Sequence, residues 1–249
     1  MRKFLTLLSN EFAGALRHPN REVIPVLVFG LLSYLGLDLG VRNIIPEIQG
    51  TPAVTWYIPT VIAFMMMAMP FLQANEKIRK KAESGYLEHL RSTSTSPWVF
   101  VGAFVADAVV VSFAKTLILL AIYGILFTEL GGFLPWVGIL AVAILSGIAW
   151  SSLGIVVGLL RREQPGNSHL SAEALIPLLV ITGLLYPVMV YPEHFEIVAL
   201  VLPSTQAFEL TRSMFGILEY QGWMLAALLG WGAAMLSLAV YSLHREDRR

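Results

Sequence analysis

Six apolar runs, each long enough to cross a bilayer as a helix, govern what this chain can fold into. They cover roughly residues 23–40, 54–73, 98–127, 134–160, 173–190 and 223–243. A hydrocarbon core of about 30 Å takes about 20 residues of α-helix. The runs are therefore read as six transmembrane helices of an all-α polytopic membrane protein, a single domain over 1–249. The third and fourth runs exceed the required length, so they must tilt, kink or project beyond the lipid. Composition agrees: 56% of residues are hydrophobic, 14% are charged and mean hydropathy is +0.69, whereas a soluble domain carries about a quarter charged residues.

Lys and Arg in the connections orient the helices. Four precede the first run, five lie in the polar island 74–98 (Lys77, Arg79, Lys80, Lys81, Arg91), two follow the fourth run (Arg161, Arg162) and three close the tail (Arg245, Arg248, Arg249). Arg42 and Arg212 stand on the other side, and Lys115 falls within the third run. The positive-inside rule puts both termini, the island and Arg161-Arg162 in the cytoplasm, and an even number of spans agrees with same-side termini.

At the start, Phe4, Leu5, Leu8, Phe12, Ala15 and Leu16 recur at helical spacing opposite Arg2, Lys3, Thr6, Ser9 and Asn10. Residues 1–20 are expected to form an amphipathic interfacial helix, or else to pack on the bundle. The first apolar run begins near Val23 without a small-residue cleavage site after it, so it is expected to be retained and not removed as a signal. Residues 191–222 combine the apolar stretch Phe195–Leu202 with Pro192 and Pro203. Eight residues do not cross a bilayer, so this segment is expected to re-enter the outer leaflet as short helices broken at Pro203, or to lie on the surface as an interfacial helix.

Several chemistries lack their residues. No G-x-x-x-x-G-K-[ST] phosphate loop, H-E-x-x-H or G-x-S-x-G occurs, the five histidines are scattered, and there is no cysteine. Glu193-His194-x-Glu196 is half a metal site at most and reads as a solvated turn. No basic block outside the island suggests nucleic acid. No catalytic residues and no metal site are assigned.

Inside the runs, polar residues are functional candidates because a charge at mid-bilayer costs at least about 2.5–3.5 kcal/mol. Asp107 and Lys115 both fall in the third run; eight residues apart, they differ by about 80° and about 12 Å and are not expected to pair with each other. Each wants a partner on another helix or a wet cavity. In the fourth run Gly147, Ser151, Gly154 and Gly158 form a small-residue stripe that admits a close neighbour, in the same subunit or another. Met65, Met66, Met67 and Met69 offer a soft surface, read as core or as a pathway lining.

Glu76 to Arg91 reads as a helix that Gly85 interrupts, with Ile78, Leu87 and Leu90 as its apolar contacts and a turn-rich stop before Pro97 and Trp98. Charge alone makes it an ordinary positive-inside loop. Its residues say more. Glu83-Ser-Gly85-Tyr86-Leu87-Glu88-His-Leu90-Arg91-Ser-Thr93, followed by Ser96-Pro97-Trp98, resembles the segment between the second and third spans of ABC-2-type transporter permeases. Gly183-Leu-Leu185-Tyr186-Pro187, Tyr191-Pro192, Leu202-Pro203-Ser204-Thr205-Gln206-Ala207 and Arg212 are similar to a second stretch of that family. The chain departs from the pattern at Ser94, Ser204 and Thr205, where the family commonly has prolines or Asn-Pro.

That resemblance implies the transmembrane subunit of an ATP-driven exporter in a prokaryotic inner membrane, moving an amphipathic or lipid-like substrate. It implies two cytoplasmic ATPase subunits holding ATP and Mg, and a second permease copy or a homologous permease as the other half. Glu83, Gly85, Tyr86, Leu87, Glu88, Leu90 and Arg91 would form the coupling helix within the loop 74–97, and Tyr186, Pro187, Pro192, Phe195 and Pro203 would belong to outer re-entrant helices. The alternative reading is an ion-coupled carrier or channel using Asp107 and Lys115.

Overall fold

The computed structural model of the protein describes residues 19–48, 50–87, 95–126, 133–160, 181–183, 188 and 191–246. The expected interfacial helix, Arg161-Arg162, nearly all of the fifth apolar run, Glu88, Leu90, Arg91, Tyr186 and Pro187 lie outside the described residues.

Five described helices are long and apolar enough to cross a membrane: Val23–Ile44, Ala53–Glu83, Pro97–Leu126, Trp136–Leu160 and Gly222–Arg245. The protein is a multi-pass, predominantly helical membrane protein. The first span is composite, made of α1 (Pro19–Leu35), a π-helical turn over Gly36–Val41 and α2 (Arg42–Ile44). A hairpin of two-residue strands follows, β1 (Glu47–Ile48) antiparallel to β2 (Thr51–Pro52), with Gly50 at φ 75° between them. This short hairpin is a connection within an otherwise helical, all-α membrane protein. Glycine accepts positive φ without a Cβ clash, so a reversal forms where the chain has only a few residues between two spans.

The helix α3 (Ala53–Glu83) runs 31 residues, about 46 Å at 1.5 Å per residue. It contains the second apolar run and the first ten residues of the island, joining the stretch that reads as a helix from Glu76 to the second span without a break. Continuation has a local cause. Ala74, Ile78 and Ala82 keep an i,i+4 buried stripe, while Glu76–Lys80 at 2.5 Å on exposed positions and Arg79–Glu83 at 3.8 Å, with Arg79 partly buried, form i,i+4 pairs. Its end is equally local: Ser84 N–H bonds the Lys80 carbonyl and Gly85 takes φ 71°, a glycine stop.

Against α3 lie α4 (Pro97–Leu126) and, most extensively, α5 (Phe133–Leu160). The glycine stripe explains the second contact. A Cβ on Gly154 would sit 2.4 Å from the Phe71 carbonyl oxygen, and one on Gly158 would sit 2.3 Å from Ile78 Cγ2 and 2.9 Å from the Asn75 carbonyl oxygen. The neighbour of the GxxxG stripe is thus α3 of the same chain, backbone against backbone. Met65, Met66 and Met67 are each at most 3% exposed in the packed core, as expected for gap-filling thioethers. The last elements are α6 (Glu193–Val201), α7 (Pro203–Met214) and the final span α8 (Gly222–Glu246).

Candidate coupling segment and buried polar centres

At the island end of α3 the chain makes a projecting corner. Glu83, Ser84 and Gly85 are exposed; immediately after them Leu87 is buried with Ile78, Ala82, Phe100 and Phe104, and Tyr86 packs against that cluster. The Lys81 ammonium sits 4.0 Å from the centre of the Tyr86 ring and 5.9 Å from that of Phe104. A cation over an aromatic face is attracted by the ring quadrupole, so Lys81 ties the segment after the corner to both α3 and α4. The corner therefore has an exposed rim and a root set into the bundle.

One turn deeper, Lys77 Nζ donates to Asp107 Oδ2 at 2.6 Å. Asp107 is fully buried on α4, while the Lys77 side chain retains 27% exposure. The partner that Asp107 required is thus a cation of the island, and Lys115 stands two turns away on α4, half-buried.

At the hairpin end of α3 lies a second buried charge. Arg212 is fully buried on α7. Its Nη1 donates to Glu209 Oε1 at 3.0 Å; its Nη2 donates to Thr60 Oγ1 at 2.9 Å and to the Gly183 carbonyl at 2.8 Å. The guanidinium carbon stands 4.7 Å from the Trp56 ring centre. One side chain thereby joins α7, α3 and the chain at Gly183, which turns at φ 81°. The planar fork of arginine suits this, offering several fixed donors that a lysine lacks. Burial pushes the Tyr191 phenol above its ordinary range, while a backbone hydrogen bond from Gly183 and the nearby Arg212 charge pull it down.

The charge count takes Arg212 as an outer connection residue; the structure adds that its side chain is buried within that connection. The sequence carried a faint sign of this role: Glu209 precedes it by three residues, so both charges face one side of a helix. Trp56 and Thr60 carried no sign at all, since a tryptophan and a threonine at the start of an apolar run resemble interfacial residues.

Around Pro203 the chain forms two short helices with different surroundings. On α6, Phe195, Ile197, Val198 and Val201 are all more than half exposed, whereas Pro203 to Arg212 on α7 are buried throughout. Leu202 is extended and Pro203 opens α7 at its first turn, where a missing N–H costs nothing. Pro192 caps the start of α6. Of the expected outer residues, Pro203 lies in the packed interior and Phe195 on the apolar exterior. Among the described residues no group of His, Asp and Glu could hold a metal ion.

The profile of the ABC-2 type transporter family matches residues 1–215. The chain is also similar to ABC transporter G family member 20 of Dictyostelium discoideum, 24% identical over 219 residues, which is 84% of this chain and 30% of that protein. It thus spans under a third of the length of this curated relative.

Proposed function

Since the chain belongs to the ABC-2 type transporter family, we propose that it is the permease of an ATP-driven exporter, coupled to its motor through the corner after α3. The observation that carries this reading is the division of the corner into an exposed rim, Glu83 to Gly85, and a buried root, Tyr86 and Leu87. A docking element needs both: a surface for the partner and a stiff connection inward. Lys81, Tyr86 and Phe104 supply part of that connection.

In this reading two cytoplasmic ATPase subunits hold ATP and Mg, as membership of the ABC-2 family supports. A second permease copy, or a homologous permease, completes the pathway, and the substrate is amphipathic or lipid-like. In this reading the membrane is the plasma membrane of a prokaryote, and the island and both termini face the cytoplasm, which the excess of Lys and Arg on that side supports. Glu88, Leu90 and Arg91 continue the docking surface. Outside, Tyr186, Pro187, Pro192, Phe195 and Pro203 belong to a re-entrant gate whose inner helix is α7. The ion-coupled alternative is weaker, because Asp107 is held by Lys77 in a packed position.

The test is to reconstitute the chain with a candidate ATPase and measure ATP turnover and substrate export. Gly85→Pro and Glu88→Arg are expected to uncouple the two. If both variants assemble and export like the parent, the coupling assignment fails. A carrier that ignores ATP and loses transport on Asp107→Asn would establish the alternative instead.

A further inference from the structure

A cleft of about 580 Å³ opens between α6 and α8, outside the polar centres described above. We propose that it seats one acyl chain of a membrane lipid. Its α8 wall is made of Ala227, Gly230 and Ala234, three small residues at helical spacing, and its α6 wall includes Ile197 and Val201. Trp231 closes one side, its indole N–H donating to the Val201 carbonyl at 2.8 Å, which holds the two helices at a set distance. Gln206 donates its amide N–H to the Leu200 carbonyl at 3.2 Å. Among the described residues no charged group lines the cleft, so it offers a lipid headgroup no counter-charge and an apolar chain a continuous wall.

Size and surroundings select the occupant. The volume falls in the usual range for ligand sites, about 300–1,000 Å³, and the cleft is a groove open along one side, which a single flexible chain can enter. The rim is continuous with the outward face of the last span: Phe195 and Val198 on α6, and Leu229 and Leu238 on α8, are all exposed. In a membrane-spanning chain such a face meets hydrocarbon, and a groove within it fills from the same source. The occupant would wedge α6 against α8. Because α6 leads through Leu202 directly into α7, the chain would help set where Arg212 stands. This assignment needs no ATPase and stands apart from the coupling reading.

The test uses Gly230→Leu. A Cβ at Gly230 meets nothing within 4 Å, so the first atom of a leucine side chain has open space at the cleft wall. The full chain is placed in vesicles of dibrominated phosphatidylcholine, and quenching of tryptophan emission is measured against ordinary phosphatidylcholine. Trp223 and Trp231 line the cleft, so the parent is expected to be quenched more strongly than Gly230→Leu. Ala234→Leu, run in parallel, is expected to match it and covers a folding failure of the first variant. Equal quenching of the parent and a folded variant overturns the proposal. So does efficient disulfide formation between two Gly230→Cys chains in vesicles, in a sequence otherwise free of cysteine, because the cleft would then be a contact between copies.

Discussion

The two ends of α3 are fastened by different physics. At the island end, Gly154 and Gly158 bring the α5 backbone close to α3 around Phe71 to Ile78, against the Phe71 and Asn75 backbone and the Ile78 side chain. At the hairpin end, the connection to α7 is made by long polar side chains, with Arg212 reaching Thr60, Glu209 and the Gly183 carbonyl. Backbone contacts transmit displacement rigidly, since packed interiors yield little. A hub of side-chain hydrogen bonds has alternative arrangements. In the proposed transporter, the first end would therefore move as one body with the docking corner, and the second is where a gate would open.

The comparison is broken most severely by Gly154→Val. With its Cβ destined for a point 2.4 Å from a backbone oxygen, the cost should reach about 4 kcal/mol or more, at the far end of single-substitution effects. The chain should fail to yield monodisperse protein, measured by size-exclusion chromatography in detergent. Normal yield and melting temperature would mean that α3 and α5 are not in backbone contact.

Next comes Arg212→Ala, which leaves Glu209 in a buried site without its cation. Removing one partner of a buried pair costs about 3–5 kcal/mol. Thermal unfolding should show the loss, and the double variant Arg212→Met with Glu209→Leu should recover more than half of it. Recovery would mean that the pair serves geometry more than net stability.

Asp107→Asn should cost less, about 1–3 kcal/mol. Lys77 keeps partial exposure and can turn toward water when its partner becomes neutral. An effect as large as that of Arg212→Ala would show that the island end also depends on a charge lock, and the contrast between the ends would narrow.

Smallest in stability is Lys81→Met, at about 0.5–1 kcal/mol for a cation over an aromatic ring. In the reconstituted complex it should nevertheless separate ATP turnover from export. An unchanged export-to-turnover ratio would confine Lys81 to packing.

The helices themselves were legible in the sequence. Apolar length bounded the spans at 98–127, 134–160 and 223–243, and the helices run Pro97–Leu126, Phe133–Leu160 and Gly222–Glu246. The second helix runs past its apolar run to Glu83, into the stretch that reads as a helix from Glu76, because hydropathy falls at Ala74 while helix propensity does not. The glycine stripe announced a close neighbour without naming it. Asp107 announced the need for a partner, yet several basic residues stood within reach of the second and third spans, and only packing chose Lys77.

What sequence alone determined here is whatever follows from period and composition: membrane residence, the positions of most helices, the glycine stop at residue 85 and the break at Pro203. Those are local consequences of backbone hydrogen bonding in lipid and of φ preferences. The tertiary structure decided which of two similar short segments is exposed and which buried, α6 or α7, and it made Arg212, a charge counted in a connection, the junction of three elements. Burial of a charge depends on which distant groups converge on it, here Thr60 and Gly183, and no stretch of neighbouring residues encodes that convergence.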